Sequence, residues 1–109
     1  MTELSLKFAM ECLSNLSISQ IEITDHYLKR SRERDISDKS VIDCLIKKEP
    51  LGMLKENDDK FRIYYEHPDT PNENDLIIIV GMNYSTQHIT IITTYNQNIN
   101  MRVRINGQR

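Results

Sequence analysis

Pro50 separates two kinds of hydrophobic pattern, and no other feature of this sequence narrows the choice of fold as far. Ahead of it, apolar residues recur at helical spacing. In "TELSLKFAMECLSN", Leu4, Phe8 and Cys12 fall at i, i+4 and i+8, with Leu13 and Leu16 extending the stripe and Thr2 in an N-cap position. "SISQIEIT" reads as a connector in which "IEI" is a brief extended piece. Thr24 or Asp25 can cap a second helix that runs to about Arg34, with "RDIS" ending it. Ser37 can cap a third, "DKSVIDCLIKK", with Val41, Ile42, Leu45 and Ile46 as its stripe. Lys47 and Lys48 fall in its last turn, where cations suit the helix dipole.

Beyond Pro50 the period shortens to two. "LGMLKE" and "KFRIYYEH" read as strands joined by the turn "NDD", with Phe61, Ile63 and Tyr65 alternating against Arg62, Tyr64 and Glu66. "PDTPNEND" is a loop of turn-forming residues. "LIIIVGMNY" is apolar on both faces, as a central strand is, and "HITIITTY" is rich in β-branched residues. In that last strand, simple alternation puts Ile89, Ile91, Thr93 and Tyr95 on one face and His88, Thr90, Ile92 and Thr94 on the other.

Helices first and strands second, with connections too short for crossover helices, predict an α+β domain. The expected architecture packs N-terminal helices on one face of a four-stranded antiparallel meander. It is expected to form one domain over residues 1–96, helical over 3–48 and sheet over 51–96, followed by a polar, basic tail at 97–109 whose "MRVRI" alternates. Phe61, Ile63, Tyr65, Ile89 and Ile91 should lie buried under Leu4, Phe8, Val41 and Leu45.

Charge narrows the range of partners. The chain of 109 residues has a formal net charge of −2, so it lacks the overall basic balance of a dedicated nucleic-acid binder, and any anion site must be local. Residues 26–34 hold four cations and one acid, residues 49–75 three cations and eight acids, and residues 76–109 three cations and no acid. The N-terminus has no basic start leading into an apolar run, and "LIIIVGM" is too short to span a bilayer, so a cytoplasmic location is expected. Cys12 and Cys44 are far apart in sequence and read as reduced, half-buried thiols. Three scattered histidines and two scattered cysteines offer no zinc-ligand spacing, no glycine-rich phosphate loop is present, and no cofactor is expected.

The most unusual segment is "TDHYLKRSRERDIS". On a helical wheel His26, Arg30 and Arg34 form one strip beside Lys29 and Glu33, opposite Tyr27, Leu28 and Ser31. A solvated helix whose cations cluster by chance is the bland reading. The clustering within an acidic chain favours an anion site, because a neutral imidazole beside guanidinium groups can serve as a base next to a phosphate. His67, before Pro68, reads as a loop-tip residue, and His88 opens the last strand.

These residues resemble a known group. The pattern T-x-H-x-x-x-R-x-x-x-R-x-I-S, then "VIDCL", "FRIYY" and "ITIITTY", resembles an uncharacterised family of small domains grouped with the RelE/ParE-type toxins and the barnase–EndoU–colicin–RelE class of metal-independent ribonucleases. The resemblance spans roughly residues 20 to 96. It places the family's His and Arg on His26, Arg30 and Arg34, and its late Thr-x-Tyr on Thr93 and Tyr95. The chain departs from such toxins in its low net charge, its extra N-terminal helix and its polar tail.

Two function classes follow. In the first, the chain is a toxin-type endoribonuclease in which His26, Arg30 and Tyr95 are catalytic: His26 moves a proton, Arg30 stabilises the developing charge, and Tyr95 donates a proton or stacks a base. Lys29, Arg34, Arg62 and Thr93 bind substrate. RNA and a cognate antitoxin protein are the expected partners, without a metal or a membrane. In the second, the same fold is a non-catalytic module that grips RNA or a protein. A purely structural role is a third class, and the oligomeric state stays open.

Overall fold

The computed structural model describes residues 6–83 and 85–101. Three helices precede most of a five-stranded sheet: α1 (Leu6–Ser14), α2 (Asp25–Glu33) and α3 (Asp38–Lys47), then β2 (Gly52–Asn57), β3 (Lys60–Glu66), β4 (Asn74–Met82) and β5 (Ile89–Asn98). The remaining strand, β1 (Ile21–Ile23), lies between α1 and α2 in sequence, and short 3₁₀ turns occupy Ile18–Gln20 and Ile99–Met101.

Spatial order in the sheet is β1-β5-β4-β3-β2. β2 to β5 run antiparallel in chain order, whereas β1 joins the outer edge of β5 in parallel, with Ile21 opposite Ile89 and Ile23 opposite Ile91. The class is therefore α+β, as the two hydrophobic periods imply, but the sheet is five-stranded and mixed rather than four-stranded and antiparallel. "IEI" carries no signal that distinguishes a strand from a connector. Three residues are too few to show a period, and only the long-range pairing with β5 makes them a strand.

All three helices pack on one face of this sheet. Ala9, Cys12 and Leu13 of α1, Tyr27 of α2 and Val41, Cys44 and Leu45 of α3 meet Phe61, Ile63, Tyr65, Leu76, Ile78, Val80, Ile89 and Ile91, all buried. Phe8 is only half-buried against this core, and Leu4 lies outside the described residues. The stripe of α1 is thus rotated toward Ala9, Cys12 and Leu13, because a sheet accepts a small residue where the helix approaches most closely. Burial raises the Cys12 thiol and pushes the Cys44 thiol up to about 11, so both favour the neutral form.

The helix ends follow local chemistry. Thr24 Oγ1 accepts from the Tyr27 backbone N–H at 3.0 Å, and the Ser37 hydroxyl accepts from Ser40 N–H at 3.1 Å. α2 stops in a Schellman arrangement: Ile36 N–H donates to Ser31 O at 2.9 Å and Asp35 N–H to Arg32 O at 3.2 Å. Asp35 takes the left-handed conformation this requires, with φ 56°, and Ile36 buries itself beyond it.

Tyr27 ties two helices together. Its ring is fully buried and its hydroxyl donates to Asp38 Oδ1 at 2.7 Å, in the first turn of α3. Burial, then the Asp38 carboxylate, hold the phenol well above its ordinary range. Tyr27→Phe keeps the packing and deletes this bond, so it is expected to lower unfolding free energy by about 1 kcal/mol in a urea titration. No loss on substitution would mean that water replaces the bond at no cost.

Candidate functional site

A bulge in β5 assembles the site. Val80 pairs with Ile91 and Ile79 with Thr93, so Ile92 is an extra residue with no partner on β4. The slip flips every side chain that follows. Ile89 and Ile91 face the helices, while Thr93 and Tyr95 turn to the opposite face and Thr94 takes the inner one, fully buried with its hydroxyl donating to Ile77 O at 2.8 Å. The simple alternation, which grouped Thr93 and Tyr95 with the two isoleucines, is corrected by this one residue.

On the outer face the rows of the sheet now align. Arg62, Ile79 and Thr93 form one row across β3, β4 and β5, and Tyr64, Ile77 and Tyr95 form the next. α2 approaches along the stretch of β5 edge that β1 leaves uncovered. Thr24 Oγ1 donates to Ile91 O at 3.0 Å at one end of the helix. At the other end Arg34, the C-cap residue, donates from Nη1 to Thr94 O at 2.8 Å and to Thr93 Oγ1 at 3.3 Å. The same guanidinium carbon stands 5.9 Å from the centre of the Tyr95 ring, within cation–π range. Covering a free strand edge with a helix satisfies carbonyls that would otherwise recruit another strand.

Electrostatics sharpen the picture. Arg62 pairs with Glu56, and the Tyr64 hydroxyl beside it, then Tyr95 and Glu56, favour its charged form. Arg62 Nε and the Tyr64 hydroxyl are both buried and neither makes a well-aligned hydrogen bond, although they lie close enough for the hydroxyl to support the guanidinium charge. Gln97 Oε1, also buried, has no hydrogen-bond partner either. Burial raises the Tyr95 phenol, Arg62 and Arg34 draw it back, and Tyr64 and Glu56 add to the rise. The net direction is upward, so Tyr95 stays protonated near neutral pH: a hydrogen-bond donor and a stacking surface, not a base.

Four of the expected residues, Arg34, Arg62, Thr93 and Tyr95, thus come to the same part of the molecule. The other three do not join them. His26 and Lys29 are exposed and make no hydrogen bond or ion pair among the described residues. Arg30 bonds Glu33 at 3.2 Å, with both side chains more than two-fifths exposed, a pair worth little in water. His26 and Arg34 share a flank of the helix but stand eight residues apart, ~12 Å along its axis. His67 accepts at Nδ1 from Asp69 N–H at 3.0 Å and from Thr70 N–H at 3.3 Å, which organises its loop. His88 faces Glu22 across the β1–β5 pair at 3.4 Å. Tyr64, Glu56 and Gln97 were not anticipated. The alternation of Arg62 with Tyr64 was the available signal for the first, and nothing local marks the other two. Among the described residues no three of His, Cys, Asp and Glu gather to hold a metal ion, and no helix is long and apolar enough to cross a membrane.

A model of the MJ0788 family matches residues 8–80, more than half of the chain. The chain belongs to the MJ0788 family. The matched stretch runs from α1 through most of β4, so it includes His26, Lys29, Arg30, Arg34 and Arg62, while Thr93 and Tyr95 lie beyond it. Comparison with curated proteins and with solved structures finds no match.

Proposed function

We propose that this chain is an RNA-binding module whose contact surface is the strip where the end of α2 meets β5. The observation that supports it is the guanidinium of Arg34 stationed over the Tyr95 ring. A cation on an aromatic face, next to a second arginine, suits a single strand of RNA: the ring stacks a base while the arginines meet the phosphates. Arg30 and Lys29 extend the positive strip along α2, and the cytoplasm is where such a strand would be met. An affinity titration against a single-stranded oligonucleotide over a range of salt tests this. Binding should weaken steeply as salt rises, and Arg34→Ala should weaken it by about 10-fold and lower the salt slope by about 1. Binding indifferent to both salt and Arg34→Ala would remove the proposal. A partner protein on the same strip would show itself by ignoring phosphate competitors.

A second reading, a RelE-like metal-independent ribonuclease with a cognate antitoxin, draws on the exposed ring of His26 on the same flank of α2 as Arg30 and Arg34. That ring makes no hydrogen bond among the described residues. The separation of His26 from Tyr95 ranks it second, because one phosphate must lie within hydrogen-bond reach of both acid and base.

A further inference from the structure

A second bulge lies across the sheet from the one at Ile92, in the edge strand β2. Leu54 pairs with Arg62 and Lys55 with Phe61, but Asn57 pairs with Lys60, so Glu56 is an extra residue with no partner on β3. An unbroken register would set Glu56 opposite Lys60. The bulge takes it out of the ladder, and its carboxylate closes on Arg62 instead, through Oε2 and Nη2. The two side chains are 24% and 32% exposed, so salt screens this pair less than one in open water.

That contact limits what Arg62 can still hold. A guanidinium grips an anion best through two parallel N–H groups, and its two such edges are Nε with Nη2 and Nη1 with Nη2. Nη2 belongs to both edges and is taken by Glu56. Nε is buried. Arg62 therefore offers a phosphate no complete edge while Glu56 stays in place. Arg34 differs. Its bonds to Thr93 and Thr94 both leave from Nη1, and its Nε–Nη2 edge makes no hydrogen bond among the described residues. Of the two arginines beside Tyr95, only Arg34 is ready for an anion.

We propose that Glu56 is an intramolecular stand-in for a phosphate, an autoinhibitory contact that RNA must displace before Arg62 can engage it. This rests on the RNA-binding reading of the Arg34–Tyr95 strip. Arg62 exchanges one anion for another when a phosphate arrives, so the contact adds little affinity in the wild type. Neutralising Glu56 leaves the guanidinium without its partner, and a second phosphate then supplies one.

The test titrates the full chain with a single-stranded oligouridylate over a range of salt. Glu56→Gln keeps the shape of the side chain and should tighten binding ~3- to 10-fold, the range for charge pairs between exposed and partly buried. The salt slope should steepen by about 1, because one more phosphate is neutralised. Glu56→Ala, which does not depend on how the amide settles, should show the same gain. Adding Arg62→Gln to Glu56→Gln should abolish it. Unchanged or weaker binding by both Glu56 variants, with Arg34→Ala still costing about 10-fold, overturns the inference and leaves the RNA-binding reading standing. A gain that survives Arg62→Gln also overturns it, because the carboxylate then acts by general repulsion and not by occupying Arg62. Binding by wild type and Glu56→Gln that is equally indifferent to salt removes both.

Discussion

Ile78→Ala is expected to cost this chain about 2–5 kcal/mol of unfolding free energy, a large share of the ~5–15 kcal/mol that a domain of this kind possesses. Ile78 is fully buried at the middle of β4, flanked in register by Ile63 on β3 and Thr94 on β5. It faces the helices, so truncation opens a cavity that sheet and helices must both move to fill. Thr94 cannot follow, because its hydroxyl is bound to Ile77 O. Ile18→Ala removes the same atoms from a side chain 67% exposed and should cost within ~0.5 kcal/mol. Urea unfolding of the two variants, followed by far-ultraviolet circular dichroism, makes the comparison. The midpoint should fall for Ile78→Ala with little change in slope, as expected when the folded state loses packing and the unfolded state is unaltered. Similar losses for both variants would contradict the placement of β4 at the centre of the sheet.

The second large effect separates the two readings of function. Under the ribonuclease reading, His26→Ala is expected to lower the cleavage rate by ~10²–10⁴-fold, the usual size of a positioned proton-transfer group. The fold should survive, since His26 is exposed and the first turn of α2 is held by Thr24, not by the imidazole. Without a metal-activated water the attacking group is the RNA's own 2′-hydroxyl, so the products should end in a cyclic phosphate. Tyr95→Phe then distinguishes donation from stacking, because only a donor needs the hydroxyl. Under the binding reading, purified protein retains RNA intact, His26→Ala changes affinity little, and Arg34→Ala changes it most. If the wild type cleaves RNA and the His26→Ala variant does so at the same rate, the chain is a ribonuclease whose base is a residue other than His26.

Arg34 shows how a site residue can be expected for one reason and placed by another. It was expected on a phosphate-binding strip with His26 and Arg30, from helical spacing alone. In the folded chain it is the residue at which α2 ends, directed toward β5 by the Schellman turn at Asp35 and Ile36. Spacing establishes a shared flank but says nothing about which part of that flank meets the sheet. Only the last of the three arginines and histidines on it reaches Thr93, Thr94 and Tyr95. Arg62 illustrates the opposite case. Its strand parity was legible from "FRIYY", and the outward direction it implied brings it to the same face as Tyr95.

What was legible from residue order alone is what depends on near neighbours. The helical stripes, the caps at Thr24 and Ser37, the stop after Arg34 and the alternation of β3 all arise from contacts within a few positions, so local chemistry is sufficient to specify them. The tertiary structure decided the rest. β1 became a strand because β5 offered it an edge, and three residues cannot announce that by themselves. The bulge at Ile92 arose because β4 and β5 had to satisfy two different faces along a single strand. It keeps Ile89 and Ile91 in the core while releasing Thr93 and Tyr95 to the surface opposite Arg62. A one-residue slip costs little in local propensity but exchanges the two faces of a strand. The pairing of distant strands, not the residues around Ile92, therefore brought Tyr95 within reach of Arg34.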